Sequence, residues 1–270
     1  MPSCTRTTAV RAAALCIVAA CAPPPAAPPH NVVGAASPHL AIARDQPLGW
    51  IGIAPRPTRS SGDWLPAGTQ AVLVPMPAEG LAAGIMLSAI DASGNTSRVT
   101  AGAPTKVPYG CDGNQLDVVA FTGARPTPGP VWLLPPNAPA IWRPRSIAIA
   151  AAAATAAHRR DTVGPVSLDL ERTDDAHGTL TISRDGRAVH RATLARTPME
   201  GADPDPLDFT QPGVAIPIPV AAWSFVDNGP ILLVSRVLSY EGVHLAATLV
   251  EEDAARELPA LATYLYRCAF

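Results

Sequence analysis

The sequence predicts a mainly β, antiparallel protein with sandwich-like packing and little helix, built as one large domain or two coupled ones. Proline and glycine, 31 and 20 of the 270 residues, interrupt the chain at short intervals. The segments between them alternate in polarity or are continuously apolar with β-branched residues, as strands do. Two-residue turn signals such as Asp185-Gly186 join neighbouring segments and indicate hairpins.

We expect the front half, residues 39–137, to contain six strands. The strands are predicted at residues 48–55, 69–76, 84–92, 96–102, 115–123 and 130–136. A turn at Ser93-Gly94-Asn95 joins the third to the fourth, because glycine and asparagine tolerate positive φ. The segment PYGCDGN is rich in turn residues, so Cys111 is expected on a loop.

In the back half, residues 138–270, the clearest pattern is that of a three-strand meander. Its strands are expected at residues 164–173, 178–186 and 187–195, where polarity alternates with a period of two. Four further strands are expected at residues 216–226, 230–240, 243–251 and 261–268. The intervening residues 252–260 suit a short helix or a turn.

Two segments near the middle of the chain are less regular. In residues 146–160 the alanines favour a helix, but Ile147-Ala148-Ile149 equally suits a strand that runs into a loop, and we favour the strand. Four prolines interrupt residues 135–145, so the boundary between the halves is expected near residue 137. Whether the halves are separate domains stays open at this point.

The N-terminus has the order of a secretory signal. Arg6 and Arg11 precede a wholly apolar run at residues 12–20, and residues 1–11 contain no acid. A helix needs about 20 apolar residues to span a bilayer, so this run is too short to remain as a transmembrane helix. Cleavage after Ala22 fits the small-residue rule of an ordinary signal peptidase, but the following Pro23 makes a poor scissile bond.

The four residues Val18-Ala19-Ala20-Cys21 resemble the lipobox of bacterial lipoproteins. The resemblance implies that residues 1–20 are removed and that the Cys21 sulfur carries a diacylglycerol, so that several acyl chains hold the protein at a membrane. Ala22 in place of aspartate implies the outer membrane, with the body facing the periplasm. Residues 21–38 then form the lipidated cysteine and an extended proline-rich tether, which a proline-binding domain could also use.

The remaining cysteines fit an exported protein. Cys4 and Cys16 leave with the signal and Cys21 takes the lipid, which leaves Cys111 and Cys268. A disulfide between them is the simplest reading in an oxidising compartment, and two unpaired thiols are the alternative. The bridge would constrain the unfolded chain by up to roughly 5 kcal/mol. Neither cysteine has the spacing of a metal ligand.

Charge and motifs limit the classes of function. Without Arg6 and Arg11 the mature chain has 18 basic and 22 acidic residues, a net charge of minus 4 that argues against binding nucleic acid. We find no glycine-rich phosphate loop, no GxSxG elbow and no SxxK motif, and no cofactor is predicted. The sequence therefore favours a protein that is not an enzyme.

Histidines provide the few candidates for catalysis. His158, Asp161 and Ser167 lie close in sequence, but HRRD is typical of a solvated charge run at the edge of a strand. His190 suits a surface cross-strand partner. His244 follows a turn that contains Tyr240 and Glu241, so it has two possible hydrogen-bond partners.

Acidic residues cluster in one loop of the back half. Asp203, Asp205 and Asp208 offer oxygen ligands at a spacing that calcium accepts, although the loop lacks the glycine and the final glutamate of an EF-hand. A solvated acidic loop is the simpler interpretation. The segment from Asp91 to Asn95 is a similar near match that a hairpin turn explains better.

Five tryptophans could provide stacking surfaces for a sugar or a peptide. Trp50, Trp132 and Trp223 lie in apolar strands and are expected in the core, whereas Trp64 and Trp142 lie in loops and are candidates for ligand binding.

The function expected from the sequence is a lipid-anchored envelope protein that binds a partner protein or a cell-wall component through loops on a β scaffold. The alternative is an envelope hydrolase with a site assembled from distant residues near His244 and Glu241.

Overall fold

The computed structural model confirms the mainly β, antiparallel, sandwich-like fold. It describes residues 49–58, 64–78, 80–109, 115–136, 138, 144–151, 154–196, 206–210, 215–239 and 242–266. Every pairing between the strands in these ranges is antiparallel. The signal, the lipidated cysteine and the tether predicted for residues 1–38 lie outside them.

The front half is a closed six-stranded barrel. Its strands are β1 (Trp50–Ala54), β2 (Val72–Pro75), β3 (Met86–Asp91), β4 (Thr96–Pro108), β5 (Gln115–Gly123) and β6 (Gly129–Leu134). They pair in the order β1-β2-β5-β4-β3-β6, and β6 closes the barrel by pairing with β1. Closure leaves the barrel without a free edge.

Alternation along the strands divides barrel side chains between two cores. Small and branched residues such as Val72, Ala89 and Val131, with Phe121, fill the interior. Gly52 also faces inward, and a Cβ there would lie 2.5 Å from Val72 Cγ1, so glycine is required by the close approach.

The back half forms two sheets. The first, here called the meander sheet, contains β8 (Ile149–Ala151), β9 (His158–Val163), β10 (Val166–Arg172), β11 (His177–Arg184) and β12 (Arg187–Ala195) in the order β12-β11-β10-β9-β8. Asp185 and Gly186 have φ of 50° and 81°, which are typical of a primed hairpin turn and confirm the turn that the sequence predicts.

The second sheet, here called the central sheet, contains β7 (Arg145–Ser146), β13 (Pro217–Ser224), β14 (Ile231–Leu238), β15 (Gly242–Val250), β16 (Ala255–Glu257) and β17 (Thr263–Tyr266). Its order is β16-β15-β14-β13-β7, and β17 also pairs with β15. A short 3-10 helix, Pro259–Leu261, precedes β17.

The central sheet is buried on both faces, which explains its continuous apolar runs. On one face Trp223 and Leu232 pack against Ile51 and Trp132 of the barrel. On the other face Leu233 and its neighbours pack against the meander sheet. One hydrophobic cluster therefore contains residues of both halves of the chain.

Three segments differ from the sequence predictions. Residues 158–161, predicted as a solvated charge run, belong to β9, which lies between β8 and β10. β4 continues past Gly102 to Pro108, because a register shift between Ala101 and Pro104 accommodates the proline. Residues 252–260 contain the short strand β16 and the start of the 3-10 helix. In the part of the chain that the structure describes, no helix is long and apolar enough to cross a membrane.

Candidate functional site

A cleft of about 690 Å³ lies where the hairpin turns of the two back-half sheets meet. The turns between β9 and β10, β11 and β12, β13 and β14, and β15 and β16 all contribute to it, together with β7. Its charged lining residues are Arg145, Arg184, Asp185, Asp227 and Glu252. A concave site built from loops on a rigid sheet scaffold is a usual place for ligand binding.

Arg184 forms the base of the cleft. Its side chain is 7% exposed, and its guanidinium donates hydrogen bonds to the carbonyl oxygens of Val250, Asn228 and Gly229 at 3.0 to 3.2 Å. These bonds attach the end of β11 to the loop that follows β13 and to the last residue of β15. Arg184 therefore fixes the shape of the cleft, because both of its Nη groups already serve the protein's own backbone.

Arg145 and Asp227 form an ion pair at the opening, with Nη1 2.5 Å from Oδ1. Both side chains are largely exposed, so the pair contributes at most about 1 kcal/mol to stability. The pair nevertheless neutralises both groups at this side of the cleft.

The charge that remains at the cleft is negative. Its lining has two arginines and three carboxylates, which leaves one net negative charge. The Asp185 carboxylate lies 3.8 Å from Arg184 Nε. Glu252 is exposed in the loop after β15, and no described cation pairs with it. The arrangement suits a polar ligand that carries an amine or another cationic group.

Asp91 marks a second polar site, which lies beneath the barrel turn and is structural. Its carboxylate is 1% exposed and accepts hydrogen bonds from the backbone N–H groups of Ser93, Asn95 and Thr127 and from the Asn95 amide. Burial acts to raise the pKa of Asp91, but the bonds from Thr127 and Asn95 outweigh it and hold the pKa below its ordinary value. Donors occupy both oxygens, which agrees with the hairpin-turn interpretation.

The same turn joins the front half to the central sheet. Trp223 Nε1 donates to the Asp91 carbonyl at 3.3 Å, and the Ser146 hydroxyl donates to the Ala92 carbonyl. Trp223 and Trp132 lie beside this contact with ring centroids 6.5 Å apart. Both are buried, as the sequence predicts, whereas Trp50 is half-buried.

Trp64 is half-buried and packs against the core cluster that joins the two halves. The Arg236 guanidinium lies 5.8 Å from its ring centroid, and Tyr109 donates a hydrogen bond to its carbonyl at 3.1 Å. Its role in ligand binding stays a prediction. Trp142 lies outside the described residues.

Asp208 accepts hydrogen bonds from the backbone N–H and the hydroxyl of Thr210, at 2.9 and 2.6 Å. The hydroxyl bond is the largest cause of its lowered pKa. Asp203 and Asp205, the other members of the predicted cation loop, lie outside the described residues. Within the ranges that are described, no group of three or more histidine, cysteine, aspartate or glutamate side chains could hold a metal ion.

His244 lies on β15 with an exposed side chain, opposite Tyr264 of β17. Its expected partners, Tyr240 and Glu241, are outside the described residues, so the alternative hydrolase site stays a prediction. Cys21, Cys111 and Cys268 are also outside them, and the lipidation and the disulfide remain expectations.

The strand geometry separates the three residues considered for a triad. His158 and Asp161 are three apart in β9 and therefore face opposite sides of the sheet. Asp161 is 1% exposed and receives two hydrogen bonds from Arg159, at 2.7 and 3.0 Å. Ser167 instead donates to Asp169 Oδ2 at 3.2 Å.

Asp169 is the centre of a small polar cluster on the solvent face of the meander sheet. Arg160 Nε lies 3.4 Å and His158 Nε2 lies 3.9 Å from Asp169 Oδ1. His190, on β12, is half-buried opposite Ile182.

The residues that line the cleft were not singled out from the sequence. The only signal that could have found them is positional, because several charged residues follow directly on predicted strands and hairpin turns. Comparisons with known proteins add nothing to the assignment: no protein-family model matches the chain, and no match was found among curated proteins or solved structures.

Proposed function

We propose that this protein is a lipid-anchored, non-enzymatic protein of the cell envelope that binds a partner protein or a cell-wall component through the cleft. The observation that carries the proposal is the cleft itself, which four hairpin turns form on two packed sheets. The lipobox-like residues at Cys21 support the anchor, and the proline-rich tether supports a body held away from the membrane surface.

The chemistry of the lining supports a ligand with a cationic group. Arg184 and Arg145 already have partners, whereas the carboxylates of Asp185 and Glu252 remain at the opening. A lysine or arginine side chain of a partner protein fits this charge, and so does the free amine of a cell-wall peptide. The side-chain oxygens of Asn228 and Ser224 could then accept hydrogen bonds from the cationic group and fix the orientation of the ligand.

Photo-crosslinking in the envelope tests the cleft. A photoreactive residue replaces Asp253, which adjoins Glu252 in the same loop, and the matched control carries it at Asp117 on the barrel. We expect a discrete adduct from position 253 and none from position 117. Glu252→Gln should weaken the adduct, because it removes the carboxylate that attracts the cation. Equal adducts at both positions, or an adduct indifferent to Glu252→Gln, would contradict the proposal.

Two further measurements test the anchor and the class of function. Mass spectrometry of the N-terminal peptide should find a lipid on Cys21, and Cys21→Ser should release the chain from the membrane fraction. An unmodified sulfur would refute the anchor. Hydrolysis of envelope material that persists in the Glu252→Gln variant and disappears in His244→Gln would favour the hydrolase instead.

A further inference from the structure

β12 is the edge strand of the meander sheet. Eight of its nine residues pair with β11 on one side, and no described strand pairs with its other side. An edge strand presents backbone N–H and C=O groups with which another extended segment can pair. Beyond the register shift near Ile182, pairing is regular from Arg191 to Ala195, so this part of the edge suits the addition of a strand.

The two faces of this edge differ in character. Ala192 and Leu194 lie opposite Leu180 and Gly178 on the core side of the sheet, and both are only half-buried because the sheet ends there. Arg191 and Thr193 lie on the solvent side and are exposed. An added strand would therefore place apolar side chains beside Leu194 and polar side chains beside Arg191.

The charge of the edge favours an acidic partner. Arg187 and Arg191 are both exposed, β12 contains no carboxylate, and neither arginine forms an ion pair with a described residue. Pairing of β12 with β12 of a second copy would add two more arginines and no carboxylate to the edge, whereas opposite charges are what stabilise a strand pair. A segment with glutamate or aspartate on its solvent face would instead meet Arg191, which lies opposite Thr181, with an opposite charge.

We propose that β12 binds an extended, amphipathic acidic segment of a partner protein, which adds to the meander sheet as a sixth strand. Backbone hydrogen bonds to the edge provide affinity, and alternation of acidic and apolar side chains provides specificity. This surface is separate from the cleft residues and does not depend on their function.

A synthetic probe tests the proposal on the full chain. The probe is a nine-residue peptide that alternates glutamate and valine, and the two control peptides replace glutamate with lysine or carry N-methyl groups on alternate amides. We expect the lysine peptide to bind about fivefold to tenfold more weakly, because attraction becomes repulsion. The N-methylated peptide should lose at least about tenfold, because it cannot make the ladder of backbone hydrogen bonds.

Two readings on the protein complete the experiment. Arg191→Glu should weaken the glutamate-valine probe by about fivefold to tenfold, whereas Arg98→Glu, an exposed arginine on β4, should leave its affinity unchanged. The probe should also slow amide hydrogen exchange in residues 187–195. Binding that tolerates N-methylation, or that leaves exchange in β12 unchanged, would overturn the proposal. A chain that dimerises through a β12 already protected without the probe would assign the edge to a second copy.

Discussion

Replacement of Asp91 by asparagine tests the contact beneath the barrel turn. Asparagine keeps an oxygen for the backbone N–H groups of Ser93 and Asn95, but those two bonds are no longer charge-assisted, which costs about 0.5 to 1 kcal/mol each. Its NH₂ group then faces the N–H of Thr127 and the side-chain NH₂ of Asn95, and the loss of these bonds costs about 1 to 2 kcal/mol. Relief of burying a charge offsets about 1 kcal/mol. We therefore expect Asp91→Asn to lower the free energy of unfolding by about 2 kcal/mol.

The pH dependence gives this prediction a sign. The pKa of Asp91 is lowered in the folded state from an ordinary value of 3.8. Its contribution is therefore complete above the ordinary value and is lost as the pH falls through the folded-state pKa. The difference in the free energy of unfolding between the wild type and Asp91→Asn should be the same at pH 7 and pH 5. It should become smaller below about pH 4.

Urea unfolding of the full chain, followed by tryptophan fluorescence, measures both effects. Asp117→Asn is the matched control, because its carboxylate is 61% exposed and Lys106 is its sole ion-pair partner among the described residues, at 3.3 Å. The control should change stability by less than about 0.5 kcal/mol. An equally small effect of Asp91→Asn, or a difference that does not narrow in acid, would refute the reasoning.

Three further substitutions are checked by the same unfolding measurement. Trp223→Phe removes the donor to the Asp91 carbonyl and should cost about 2 kcal/mol; an unchanged midpoint would show that this contact contributes little. Arg184→Met leaves three backbone carbonyls without their donor and should lower the free energy of unfolding by about 3 kcal/mol. Arg184→Lys should recover part of this loss. Equal losses in the two variants would argue against the hydrogen bonds as the cause. Phe209→Ala opens a cavity at a fully buried position and should lower the free energy of unfolding by about 3 to 5 kcal/mol. Thr210→Ala beside it should lower it by about 1 kcal/mol. Similar values for the two variants would place Phe209 outside a tightly packed core.

The local part of the fold could be predicted from the sequence. β5 and β12 occupy the residues expected for them, because alternation and tight turns are encoded within about ten neighbouring residues. The prediction of a solvated charge run at the start of β9 is wrong because it, too, depends on neighbouring residues alone. HRRD has no apolar residue, and it is a strand because all four of its residues pair with β10 and Asp161 also pairs with β8.

Closure of the barrel has no comparable local signal. It depends on pairing of Trp50 with Leu133, far apart in sequence, and on the non-sequential order of β2, β5 and β4. The continuous apolar runs of β13 and β14 indicate burial. They do not indicate that the barrel covers one face of the central sheet and the meander sheet covers the other.

The cleft could not be predicted because its residues are ordinary surface charges in the sequence. Asp227 and Glu252 resemble the other acids of the chain, and only the meeting of separate hairpin turns brings them together. Arg184 was visible only as the residue before a predicted turn. Its burial follows from carbonyl groups in loops more than 40 residues away along the chain.

The position of β7 has a consequence for the order of assembly. Among the strands that the structure describes, β7 pairs with β13 alone, yet the whole meander sheet lies between them in the chain. During synthesis from the N-terminus, the barrel strands and the hairpins of the meander can therefore pair as they emerge, while Arg145 and Ser146 must wait for Ser224 and Trp223. The central sheet is the last layer to form, and both of its neighbours must expose apolar surface until it does.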